Sequence, residues 1–75
     1  NIEDTEIYKE LKEFRLAKCR EEKVKPYFIY NNKQLEDLIS KMPVNNEELK
    51  EVPGFGDVKV SKYGDDIIKI IKKYL

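Results

Sequence analysis

Residues 24–49 read VKPYFIYNNKQLEDLISKMPVNNEEL and alternate between signals that end a helix and signals that begin one. Pro26 lacks a backbone donor and its ring excludes Lys25 from helical geometry, so a helix that arrives from the N-terminal side ends before this point. Residues 24–30 are apolar and aromatic, but a single strand in an otherwise helical chain has no partner. We therefore expect an extended, packed connection here.

Two helix starts within this stretch share one signature. Asn31 is followed three residues later by Gln34, and Asn45 is followed in the same way by Glu48. In each pair the asparagine can cap a helix while the longer side chain reaches back to the backbone of the cap. Between the two starts, apolar residues at helical spacing predict an amphipathic helix that ends at Pro43.

Helical periodicity continues on both sides of this stretch. Residues 3–23 carry apolar side chains at steps of three and four, with charges on the other faces. A short third helix is expected from Asn46 to about Glu51, and a last helical region begins near Asp57. Gly64 either divides that region into two helices or only weakens one. The predicted fold class is an all-α bundle of four or five helices with short connections.

Length and composition exclude several classes of protein. The 75 residues suffice for one small domain, and 15 basic and 15 acidic side chains cancel to a net charge of zero. Binding of nucleic acid through a strongly basic molecule as a whole is therefore excluded, although a local basic patch is not. No apolar run reaches the length of a membrane span and no signal peptide opens the chain, so neither membrane association nor secretion is expected.

Residue types that catalysis commonly needs are missing. The chain has no histidine, hence no imidazole base and no histidine ligand for zinc. Its single cysteine, Cys19, cannot form an internal disulfide, and its spacing from Leu11 predicts a core position. We expect no catalytic residue, no metal and no cofactor in residues 1–75, and an accessory domain rather than an enzyme. Because the chain begins with Asn1 rather than Met, we expect a fragment of a longer protein.

The order and spacing of these elements resemble the HRDC domain (helicase and RNase D C-terminal) of RecQ-type DNA helicases and RNase D-type exonucleases, over about residues 7 to 72. No single piece is diagnostic, but the order and spacing of the pieces together form a fairly strong match. The matching residues are Leu11-Lys12-Glu13-Phe14-Arg15, Cys19, Val24-Lys25-Pro26-Tyr27-Phe28-Ile29-Tyr30, Leu35, Leu38, Met42-Pro43, Glu48-Leu49, Val52-Pro53-Gly54-Phe55-Gly56, Lys59 and Lys62-Tyr63-Gly64.

This resemblance implies a fold of two roughly orthogonal helical hairpins and a role without chemistry of its own. It implies a C-terminal accessory domain of a larger protein, most like a RecQ-type ATP-dependent DNA helicase of DNA repair and recombination, whose ATPase motor lies upstream. Residues 1–75 contain no Gly-rich Lys-Ser/Thr loop for a nucleotide. We expect a monomer located in the cytoplasm or the nucleus. A helicase parent and an exonuclease parent both remain open.

Tyr27 is the strongest candidate for a contact with nucleic acid. An aromatic ring in a loop beside Lys23 and Lys25 can stack on an unpaired base while the ammonium groups meet phosphates. The resemblance supports this, because the family uses this loop to contact nucleic acid. The alternative is a half-buried loop anchor with its hydroxyl in water. Phe28 and Tyr30 are expected to serve the core and the start of the next helix.

The Gly-Phe-Gly turn supplies a second candidate. Gly54 and Gly56 can let backbone N–H groups at the next helix start hold a phosphate. Alternatively, both glycines simply supply positive φ and tight packing. The neighbouring Asp57 favours this structural interpretation, because its carboxylate would repel a phosphate. Lys59 and Lys62 are either phosphate contacts or part of a solvated face whose charge is compensated by nearby aspartates.

Two functions fit these observations. The first is a domain that weakly binds single-stranded or junction DNA beside a helicase motor. The second is a module that docks on its own motor domain or on another protein without touching nucleic acid. The neutral charge and a pI near 6.5 favour weak binding or docking, whereas the lysine-flanked loop favours nucleic acid. The choice between DNA and RNA, and the preferred strand structure, stay open.

Overall fold

Four α-helices and two short 3-10 helices make up the structure, a computed structural model that describes residues 1–75 and contains no strand. Helix α1 packs against α2 and α4, and α3 packs against α4. The predicted all-α bundle is confirmed. The helices are α1 Glu6–Glu22, α2 Asn32–Lys41, α3 Asn46–Lys50 and α4 Asp57–Lys72, with 3-10 helices at Ile2–Asp4 and Pro26–Phe28.

Both predicted helix starts are confirmed, and they differ in one bond. At α2, Asn31 Oδ1 accepts a hydrogen bond from the Gln34 backbone N–H at 2.8 Å, and Gln34 Oε1 accepts one from the Asn31 N–H at 2.8 Å. At α3, Asn45 Oδ1 accepts from the Glu48 N–H at 2.8 Å. The Glu48 carboxylate, however, accepts from the N–H of Val44, one residue before the cap, at 3.0 Å.

One hydrophobic core connects all four helices. Cys19 lies in it, as its spacing predicted. Tyr30 is also fully buried, and its hydroxyl donates to the carbonyl oxygen of Leu11 at 2.6 Å, which ties the start of α2 to α1. Burial raises the pKa of Tyr30 well above its usual range. The side chains that fill the centre include Leu11, Leu35, Leu38, Leu49, Ile67 and Ile71.

Helix α4 runs through Gly64 without a break. Gly64 is buried, and a Cβ added to it would lie 2.7 Å from Asn46 Oδ1 of α3. The glycine therefore permits close packing of the two helices rather than dividing α4. At the other end of the chain, α1 begins at Glu6 instead of residue 3, because Thr5 Oγ1 accepts a hydrogen bond from the Tyr8 N–H and caps the helix there.

The connection from α1 to α2 is wound more tightly than expected. An extended connection was expected here, with Phe28 in the core and Tyr30 at the start of the next helix. Instead, a 3-10 helix spans Pro26–Phe28, with the Ile29 N–H donating to the Pro26 carbonyl at 3.0 Å. This turn replaces the expected extended segment. Ile29 and Tyr30 enter the core, whereas Phe28 is 59% exposed, and its predicted core position is wrong.

Candidate nucleic-acid interface

Arg15 anchors the loop that contains Tyr27. The Arg15 side chain is buried, its Nη1 donates to the Tyr30 carbonyl at 2.9 Å, and its Nη2 donates to Asn32 Oδ1 at 3.0 Å. The guanidinium also lies 5.7 Å from the centroid of the Tyr30 ring. Sequence reasoning assigned Arg15 no such role. The sequence feature that could have revealed this role is the position of Arg15, a charged residue four positions after Leu11 on the apolar stripe of α1.

Arg15→Met should lower the free energy of unfolding by about 2 kcal/mol, because it leaves the buried Tyr30 carbonyl without its donor. For a domain of this size, the melting temperature should fall by roughly 10 °C. Arg20→Met is the matched control, since Arg20 lies exposed on the same helix. Equal melting temperatures for the two variants would show that the loop does not depend on this anchor.

Tyr27 and Phe28 form a pair of exposed, stacked rings, hereafter the aromatic pair. Their ring centroids lie 4.9 Å apart with an angle of 23° between the planes. The side chain of Tyr27 is 57% exposed. Phe28 is exposed to a similar degree, although nothing in its sequence neighbourhood distinguished it from a core residue. The loop therefore presents two aromatic surfaces to solvent.

The structure places Lys59 and Lys62 beside this loop. Phe28 lies against an open groove of about 370 Å³ between the loop and the N-terminal half of α4. Val58, an apolar residue in the first turn of α4, is 73% exposed in this groove. The groove is lined by Glu22, Val24, Phe28, Val58, Lys59, Lys62 and Tyr63.

Lys62 is neutralised in part by a carboxylate from the end of α1. Its Nζ lies 3.0 Å from Glu22 Oε1, and the Tyr63 hydroxyl donates to the same carboxylate at 2.6–2.7 Å. The hydrogen bonds from Tyr63 and Lys62 lower the pKa of Glu22, and the bond to Glu22 raises the pKa of Lys62. The expectation that aspartates compensate Lys62 is therefore wrong, since its partner is Glu22.

Three lysines around the loop have no carboxylate partner. Lys23 and Lys25 are exposed and take part in no ion pair. Lys59 is half-buried, its Nζ lies 3.5 Å from Gln34 Oε1 and 5.8 Å from the Phe55 ring centroid, and burial lowers the pKa of Lys59. The charge of these three lysines is thus not neutralised by a carboxylate, as is also true of Lys12, Lys41 and Lys69 elsewhere on the surface.

The two glycines of the turn before α4 play different roles. Gly54 has φ +90°, and a Cβ added there would lie 1.9 Å from Gln34 Nε2. The expected positive φ and the expected tight packing are both confirmed for this glycine. Gly56 has φ −84° with nothing within 4 Å of an added Cβ, so its expected positive φ is wrong. Gly56 is the N-cap of α4. Asp57 pairs with Lys50 at 3.5 Å.

The structure also contains no cluster of metal-ligating side chains and no helix that could span a membrane. No group of three or more cysteine, aspartate or glutamate side chains is placed to hold a metal ion. Among the helices, none is both long and apolar enough to cross a bilayer.

The family of this module follows from comparison with known proteins. The family model of the HRDC domain matches residues 4–71, and the chain belongs to this family. The resemblance inferred from the motifs is confirmed. No solved structure matches the chain.

Curated relatives of the chain are helicases. The ATP-dependent DNA helicase RecQ of Bacillus subtilis is 31% identical over 72 residues, which are 96% of this chain and 12% of that protein. The ATP-dependent DNA helicase UvrD2 of Mycobacterium bovis is 28% identical over 69 residues, 92% of this chain and 10% of that protein. The ATP-dependent DNA helicase Q-like 4B of Arabidopsis thaliana is 40% identical over 48 residues, 64% of this chain and 4% of that protein. The chain thus spans at most about an eighth of the length of these relatives.

Proposed function

We propose that this chain is the auxiliary nucleic-acid-binding domain of a RecQ-type ATP-dependent DNA helicase, and that it weakly holds single-stranded or junction DNA beside the motor. The names of its relatives support a helicase parent. In this proposal residues 1–75 are one monomeric domain of a longer protein that acts in DNA repair and recombination, in the cytoplasm or the nucleus. Catalysis and ATP hydrolysis belong to the parent, and the domain needs no cofactor.

The observation that carries this proposal is the exposed aromatic pair next to lysines without partners. Stacking on an aromatic ring suits any unpaired base, because every base has a π-face, and lysines track the phosphates between bases. Lys23 and Lys25 supply that charge on the loop, and Lys59 supplies it on α4. Lys62 contributes less, since Glu22 already neutralises part of its charge. The turn at residues 54–56 remains a proposed backbone contact.

A salt titration tests the proposal. The affinity for a labelled oligothymidylate, measured by fluorescence anisotropy between about 50 and 200 mM salt, should fall along a straight line on logarithmic axes. Lys25→Ala should weaken binding and reduce the slope of log affinity against log salt concentration by about one. The reason is that one exposed, unpaired ammonium no longer contacts a phosphate of the strand. Binding that is insensitive to salt, or no binding at low salt, would contradict the proposal.

Lys23→Gly makes a matched variant for this titration. Lys23 ends α1 with φ 59°, a left-handed conformation that glycine adopts more readily than lysine. The change therefore removes a charge without lowering the thermal stability of the domain. Weaker binding by this variant could not be attributed to unfolding.

A protein-docking module is the second candidate function. The neutral net charge and the exposed apolar side chains Leu16, Val24 and Val58 favour it, because such residues also suit a contact with a motor domain. Wild-type affinity in both the Lys25→Ala and the Lys23→Gly variants would favour docking over a nucleic-acid contact.

A further inference from the structure

The two rings of the aromatic pair border different concavities. Tyr27 lines an open cleft together with Arg15, Pro26, Asn31 and Asn32. Phe28 lines the groove that faces α4 instead. Because the rings stack on each other at 4.9 Å, each has one covered face and one outer face, and the outer faces point away from each other. The pair therefore separates the two concavities.

The groove on the Phe28 side combines apolar walls with a positive rim. Val24 and Val58 line the groove together with Phe28, and all three residues are exposed, which costs the isolated domain free energy because their apolar surface stays in water. Lys59 and Lys62 line the same groove, where one carboxylate, Glu22, faces them. An apolar slot with lysines at its edge is complementary to a base whose flanking phosphates carry negative charge.

We propose that the Phe28 groove is a second nucleobase site, so that the domain takes two unpaired bases from one strand. One base stacks on the outer face of Tyr27, and the other stacks on the outer face of Phe28 with its phosphate near Lys59. This inference rests on the proposed nucleic-acid function. With both rings between them, the two bases lie roughly 12 Å apart if each is about 3.5 Å from its ring, too far for neighbours in a stack. The two bases therefore do not stack on each other.

Single and double variants test the second site. Phe28→Ala should weaken binding of a labelled oligothymidylate by about five-fold or more, the loss typical of one stacked base. It should leave the affinity for an abasic strand of equal charge unchanged. Leu16→Ala is the matched control, because Leu16 is exposed but lies outside both concavities. It should bind both strands like the wild type.

The double variant separates a base contact from a supporting role, since Phe28 also packs against Tyr27. Two independent base sites lose affinity multiplicatively, so adding Phe28→Ala to Tyr27→Ala should weaken binding again by about five-fold. No further loss in the double variant would show that Phe28 only positions Tyr27, which overturns the second site and leaves the proposed function standing. Absence of binding by the wild-type domain would overturn both.

Discussion

Gly54→Val should lower the free energy of unfolding by about 3 kcal/mol, because two costs fall on one residue. A β-branched side chain is strongly disfavoured at positive φ, and such strain costs on the order of 1–3 kcal/mol. The added Cβ also meets the Gln34 amide at 1.9 Å, so the capping side chain of α2 must move. For a domain whose whole stability is about 4–11 kcal/mol, the expected fall in melting temperature is roughly 15 °C.

Gly56→Val is the matched control in the same turn. Its φ is ordinary and the space around an added Cβ is open, so the change costs only the lower preference of valine for an N-cap, about 1 kcal/mol or less. Thermal and urea denaturation of the two variants, followed by circular dichroism, measure the difference. Equal losses would mean that neither the positive φ nor the contact with Gln34 governs this turn.

Local signals explain why most of the fold was predictable. Asn31 and Asn45 act through bonds that reach only three residues along the chain, so the sequence alone reveals the starts of α2 and α3. The apolar periodicity of α1 placed Cys19 correctly for the same reason. Gly54 was also recognisable, since a glycine between a short helix and a longer one commonly marks a left-handed turn.

Features of the site that depend on distant residues were not predictable in this way. Glu22 pairs with Lys62 across forty positions of the chain, and no local sequence pattern predicts that contact. Phe28 was wrongly assigned to the core, because a 3-10 turn replaces the expected extended connection and leaves this ring exposed.

The zero net charge determines where affinity must come from. A strongly basic protein gains binding energy from many phosphates and from long-range attraction, whereas this domain has no such field. The three lysines around the loop that have no carboxylate partner release few counterions, so their contribution is modest at physiological salt. Base stacking is far less sensitive to salt and is worth about 1–3 kcal/mol for each base. The aromatic pair is therefore expected to dominate binding.

Tyr27→Ala should accordingly weaken single-strand binding by roughly five-fold to a hundred-fold. Because more than half of the Tyr27 side chain is exposed and it donates no hydrogen bond within the domain, helicity and melting temperature should stay nearly unchanged. Anisotropy titrations and thermal melts of the same preparations measure both quantities.

Tyr27→Phe provides the control for ring stacking, since it keeps the aromatic face and removes only the hydroxyl. Its affinity should stay within about two-fold of the wild type, because a base stacks on the ring rather than on the oxygen. A loss as large as that of Tyr27→Ala would assign the contact to the hydroxyl instead. If Tyr27→Ala and Lys25→Ala both bind like the wild type, the loop is a structural connection only, and the exposed apolar groove is better explained as a surface that docks on the motor domain.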